Sequence, residues 1–169
     1  MLIPARIVAA LLAGATVFAI ATPAVAHVKV YAEPGWTQAP ACNFAEFIVQ
    51  VPNERPDPTI RIELDIPSTI TVSNAQPVPG WTTGFTRTKG RISRITWSGG
   101  QLHPGEFQTF AFLAGTPQTP GIVSWNARQT YQNGEVVNWT GPANSDTPHS
   151  QTSITRPAQP TDCAPKRGM

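Results

Sequence analysis

Charge is scarce in this chain. Of its 169 residues only 13% are Asp, Glu, Lys or Arg, and 12 basic residues face 10 acidic ones. Nucleic acid and anionic membrane surfaces are held by concentrated positive charge, so both partner classes are excluded. Catalytic signatures are missing as well. There is no HExxH, no GxSxG and no Gly-rich phosphate loop. The acidic residues are scattered through strands and turns, so spacing nominates no general acid and base pair, and the expectation is a protein that is not an enzyme. Long apolar runs are equally rare. The longest, Ile7 to Ile20, has 14 residues, short of the roughly 20 that a membrane helix needs, and nothing comparable follows it.

That one run has a recognisable setting. Arg6 precedes it, and Pro23 and the triplet Ala24-Val25-Ala26 follow, which is the layout of a secretory signal peptide over residues 1–26. The expected mature chain begins at His27 and is exported, either secreted or held in the periplasm or cell envelope, with no membrane span. Its first residue is not cysteine, so lipid anchoring is not expected. Removing Arg6 leaves a formal charge near +1. The remaining length suits one domain, placed at residues 27–156, followed by a polar, proline-rich tail at 157–169.

The pattern inside that domain is β. In "TIRIELDI", Ile60, Ile62, Leu64 and Ile66 alternate with Arg61, Glu63 and Asp65, one apolar face and one wet face at a period of two. "NFAEFIVQV" repeats this through Ala45, Phe47, Val49 and Val51; "RISRITW", "FQTFAFL" and "IVSWNARQTY" do so less cleanly. Turn pairs separate the runs, among them Pro79-Gly80, Lys89-Gly90, Pro104-Gly105 and Asn133-Gly134. The last is the preferred dipeptide of a two-residue hairpin and is expected to join "NARQTY" to "EVVNW". Eight or nine short strands in a chain with 18 prolines and 13 glycines predict an all-β fold, an antiparallel immunoglobulin-like β-sandwich. Cys42 and Cys163 are the only cysteines. In an oxidising compartment such a pair reads as a disulfide that closes almost the whole domain, with two unpaired thiols as the alternative; their separation does not suit a clustered thiolate metal site.

Cleavage before His27 would change that residue's chemistry. One position then carries a free α-amine, whose reference pKa is about 8, and an imidazole whose Nδ1 can close a chelate ring with it. Two nitrogen donors of borderline softness favour Cu(II) among first-row metals. Thioether donors for Cu(I) are absent, since Met1 leaves with the leader and Met169 is the last residue. Val28, Val30 and Ala32 alternate as in a strand, which would anchor the terminus.

The segments "AHVKV", "VPNERPDPTIRIELDIP", "VPGW" with "ITWSGG", "HPGEFQTFAF" and "ARQTYQNGEVVNW" occur in an order that resembles the YcnI-like family of bacterial exported proteins, from His27 to about Trp139. The resemblance implies a β-sandwich that binds one Cu(II) through a single-histidine brace. It carries over His27 as the amine and ring ligand, Glu54 as the carboxylate ligand and Trp139 as the aromatic residue beside the metal. It also implies copper acquisition, delivery or homeostasis, with another exported or membrane copper protein as partner. Many members end in a membrane helix; the polar tail here departs from that pattern.

Taken by itself, Glu54 is a loop carboxylate between Pro52 and Pro56, and Trp139 alternates with Val137 and so faces a core. His103 and His149 lie in polar turns, where a second imidazole ligand is the less common reading. Two rivals are kept. A copper-dependent oxidative enzyme of the polysaccharide-monooxygenase type would need a second histidine at the metal. A metal-free immunoglobulin-like module that docks a surface partner would be indifferent to an extra residue before His27.

Overall fold

The computed structural model describes residues 27–33 and 36–164. The expected leader, residues 1–26, and the end of the tail, residues 165–169, lie outside that range. Among the described residues there are eleven strands and no helix: β1 (Lys29–Ala32), β2 (Gln38–Pro40), β3 (Phe44–Pro52), β4 (Thr59–Asp65), β5 (Thr71–Ala75), β6 (Thr82–Thr88), β7 (Arg91–Leu102), β8 (Phe107–Gly115), β9 (Gly121–Tyr131), β10 (Val136–Trp139) and β11 (Ser150–Thr155). They form two layers. One sheet runs β1-β3-β8-β5; the other runs β2-β11-β9-β4-β7-β6, with β10 also paired to β9. Strand β9 is long enough to serve two neighbours end to end, taking β11 along Gly121 to Trp125 and β10 along Ala127 to Thr130. Every pairing is antiparallel except β2 with β11, which is parallel.

The layers exist because inward rows of both sheets are apolar. Ala45, Phe47, Val49 and Val51 of β3 and Phe110, Phe112 and Ala114 of β8 face Ile62 and Leu64 of β4 and Val123, Trp125 and Ala127 of β9, all buried. The rings of Phe47 and Phe112 lie 5.4 Å apart, and Trp125 packs against both from the opposite sheet. Burying a side chain of this size contributes about 1.5–3 kcal/mol. Trp125 also satisfies its indole, donating from Nε1 to Thr152 Oγ1 at 2.9 Å. At the other end of the core Trp97 stacks on Phe110, and Trp81 meets Phe110 edge-on. The indole of Trp81 occupies the place a Cβ at Gly100 would take, so "VPGW" and "ITWSGG" are two halves of one contact.

Four strands have no clear period-two apolar signal. In β5 and β6 most residues are exposed, including Phe85; β2 has three residues, and β11 turns Ser150 and Thr152 inward with Ile154. β2, β5 and β6 are edge strands, which carry little core for alternation to mark; β11 lies between β2 and β9, and its inward row is mostly hydroxyl-bearing.

Two local readings are corrected. Asn133-Gly134 does join β9 to β10, but by a longer loop: Tyr131 N–H donates to Glu135 O, Gly134 alone adopts positive φ (89°), and Asn133 Oδ1 accepts from Glu135 N–H at 2.8 Å. The two-residue hairpin with both positions left-handed is Lys89-Gly90, φ 50° and 81°, between β6 and β7. In β4 a bulge between Thr59 and Arg61 interrupts the expected row. Thr59 turns inward and is buried, while Ile60 is only partly so; a bulge re-aims its neighbours in this way.

Cys42 and Cys163 form a disulfide, with Cα atoms 5.1 Å apart at a sequence separation of 121. It ties the segment after β11 to the turn before β3.

Candidate metal centre

Strand β1 closes one side of the sandwich. Its ladder with β3 runs from Ala32↔Phe47 to Lys29↔Gln50, and on its other flank Val30 N–H donates to Ser150 Oγ at 2.8 Å. Val28, Val30 and Ala32 are buried, as their alternation predicts. The chain therefore reaches its first described residue held from both sides. His27 is half-buried. Continuing the β1–β3 register two residues past Lys29↔Gln50 sets it opposite Pro52, two positions before Glu54.

Trp139 comes to the same place from the other sheet. It is buried in β10, and its ring stands edge-on to that of His27, centroids 5.6 Å apart and planes at 84°. The structure thus brings together two of the three residues singled out from the sequence. Behind them lies one the sequence reading passed over. Gln129 of β9 is fully buried. Its Oε1 accepts from Trp139 Nε1 at 3.1 Å, while its Nε2 donates to Thr59 Oγ1 at 2.8 Å and to Pro52 O at 3.0 Å. The available signal was its position: a polar side chain in the inward row Val123, Trp125, Ala127, Gln129, Tyr131 must have partners.

Glu54 occupies the β3–β4 loop and is exposed. Its neighbours are fixed. Asn53 is buried, donates from Nδ2 to Leu102 O and Asp57 O, both at 2.9 Å, and accepts Arg55 N–H at Oδ1. Its backbone bonds the β7–β8 turn through Glu106 O and Gly105 N–H. Arg55 pairs with Glu135 and lies over the Tyr131 ring, 5.4 Å from its centroid. Asn133 Nδ2 donates to Asp57 Oδ2 at 2.8 Å. A loop clasped by two neighbouring turns presents its carboxylate from a rigid base.

The clasp has a titratable member. Burial pushes the Tyr131 hydroxyl above its ordinary value, with the Arg55 guanidinium pulling the other way. A raised folded value means that stability is intact below the ordinary tyrosine range and is lost as pH rises through the raised one. Tyr131→Phe should therefore flatten the alkaline fall in the urea midpoint above about pH 10; an identical fall in the variant would reject the assignment.

The other two histidines stand on neighbouring elements. His103 is exposed in the β7–β8 turn, its backbone N–H bonded to Glu106 Oε2. The His149 ring accepts from Gln151 Nε2 at 2.9 Å beside a groove of about 210 Å³ that Lys29 and Tyr31 also line. Among the described residues no group of three His, Cys, Asp or Glu side chains converges as a metal cage, and both cysteines are in the disulfide. The donor chemistry gathered around Trp139 is imidazole, with a carboxylate on the adjoining loop and the backbone nitrogen of residue 27. Nitrogen and oxygen donors of this kind fit a borderline divalent ion, and no thiolate is present for a soft one.

Comparison with known proteins adds the lineage. The chain is 34% identical over 142 residues to the copper-binding protein CutI of Bacillus subtilis (strain 168), covering 83% of this chain and 68% of that protein. An uncharacterized protein from Nocardia farcinica, whose crystal structure has an immunoglobulin-like fold, superposes with a TM-score of 0.67 at 27% identity, covering 76% of this chain and 98% of that one. A domain of unknown function, DUF1775, matches residues 27–161. With the sandwich, the edge-on pair and a match that spans most of its length, this chain belongs to the DUF1775, YcnI-like family.

Proposed function

We propose that this protein is an exported Cu(II)-binding protein, cut before His27, that holds one ion through the His27 amine and ring nitrogen with the Glu54 carboxylate. It serves copper acquisition, delivery or homeostasis rather than catalysis, and another exported or membrane copper protein is its partner. The observation that carries the reading is the edge-on contact of His27 with buried Trp139 at the start of a strand fastened on both flanks. A solvated first residue would have no reason to be delivered there. The name of the Bacillus subtilis relative supports copper as the metal, and the donor set supports the cupric state.

Each residue has a separable task. Cleavage converts the His27 amide into an amine that can donate its lone pair, and β1 aims that amine and the imidazole together. Glu54 adds negative charge from the clasped loop. Trp139 covers one side of the ring, restricting water without ligating. Copper, when bound, supplies a Lewis-acidic and redox-capable centre. The oxidative-enzyme reading needs a second imidazole at the metal, and copper coordination by His103 or His149 would favour it.

Mass spectrometry of the secreted protein, with and without added copper, tests the assignment. A chain that starts at His27 and gains the mass of one copper ion is expected. A different or blocked first residue on a chain that still retains the metal would overturn it.

A further inference from the structure

The geometry points to Gln129 as the positioning residue of this centre, one side-chain amide that locks the Trp139 indole against His27 and roots the loop that carries Glu54. The inference rests on the copper reading only for its consequence, not for its geometry.

Gln129 sits where the two halves of the site meet. Its three partners belong to three different strands: Trp139 on β10, Pro52 at the end of β3 and Thr59 at the start of β4. Pro52 and Thr59 bracket the Glu54 loop, so the same amide fastens both ends of that loop. The partners also dictate which way the amide points. An indole N–H can only donate and a proline carbonyl can only accept, so a reversed amide would set N–H against N–H and carbonyl against carbonyl. A single orientation satisfies all three, and it is enforced in a fully buried position, where an unmet polar group is destabilising.

Other side chains fail for definite reasons. Methionine matches the length and offers no donor. A carboxylate at this position could accept from Trp139 Nε1 but would face the Pro52 carbonyl with like partial charge. Glutamine is the residue that couples the ring to the loop. Supporting groups of this kind, one step removed from a metal's ligands, typically change metal affinity by about 10–100-fold when lost.

The test begins with metal-free protein. In the NMR spectrum of wild type, the His27 ring protons should be displaced from solvent-exposed values by the adjacent Trp139 ring, and the Trp139 indole N–H should exchange slowly with water. Gln129→Met should return the His27 signals toward exposed values and speed that exchange. Gln129→Glu should retain the His27 displacement while shifting the amide signals of Asn53 and Glu54. With copper added, Gln129→Met should raise the Kd by about 10–100-fold and alter the cupric electron paramagnetic resonance spectrum. A lowered melting temperature with unchanged His27 signals, Kd and spectrum would assign Gln129 a purely structural role and overturn the inference. If Gln129→Met does not fold, the wild-type exchange rate and Gln129→Glu decide; an indole that exchanges as fast as an exposed one also overturns it. A wild type starting at His27 that takes up no copper defeats the proposed function, yet the metal-free measurements still judge the role of Gln129.

Discussion

Replacing His27 by alanine is expected to weaken Cu(II) binding by about a hundredfold or more, since even partners one shell outside a metal's ligands are worth about 10–100-fold. His27→Ala keeps the amine and removes the ring. A chain with one extra residue before His27 keeps the ring and converts the amine to an amide. Both changes break the same chelate from opposite sides, so both should fail, which no ordinary surface histidine would do. Glu54→Gln preserves shape and removes charge, and should cost roughly tenfold. Folding should be indifferent to His27→Ala, because β1 is held by its ladder with β3 and by Ser150, not by the ring. Competition titration against a chelator of known affinity, with the melting temperature as control, separates the two effects. Equal affinities for wild type, His27→Ala and the extended chain would eliminate the brace. Acidification should release the metal as well, because protons compete for the same nitrogen and oxygen donors.

The second large effect concerns stability. Cys163→Ser should lower the free energy of unfolding by about 4–5 kcal/mol, the chain-entropy value for opening a loop of some 120 residues. Cys163 is the better position to change, because it is exposed in the segment after β11, while Cys42 donates its backbone N–H to Pro117 O in the turn before β3. The bridge acts on the unfolded chain, so the loss should appear in the urea midpoint with the folded spectrum preserved. It should leave copper affinity alone. The disulfide lies before β3 and the centre beyond that strand's far end, and nine residues of extended chain separate them by about 30 Å. A shift of the midpoint worth less than about 1 kcal/mol would overturn the entropic account.

Much of the sandwich is legible in period-two alternation, because a strand that buries one face must write that face into its sequence. "TIRIELDI" and "NFAEFIVQV" are visible for that reason, and the paired cysteines likewise anticipate the bridge that forms. Some strands escape notice because their surroundings are half solvent, as with the largely exposed β5 and β6; β11 escapes because it turns Ser150 and Thr152 inward, where their hydroxyls bond Val30 and Trp125 rather than pack as hydrocarbon. The inward turn of Thr59 is hidden for another reason. A bulge shifts the phase of the alternation, and no residue in "PTIRI" announces it.

His27 was legible as a candidate because its chemistry follows from its place behind Ala24-Val25-Ala26, a one-dimensional fact. Glu54 and Trp139 came only through resemblance, since a loop carboxylate and a strand tryptophan each have a commoner fate. Gln129 was written in the chain as a polar residue in an apolar row, but its meaning depends on three partners drawn from three strands. The sequence by itself determined the fold class and the donor types, because alternation and side-chain chemistry are local properties. Only the tertiary structure decided that the rings of His27 and Trp139 meet at nearly a right angle, and that one buried amide joins that indole to the root of the Glu54 loop. Contacts between residues 70 or more positions apart depend on which strands pair and on how the two sheets stack, and neither has a local signature.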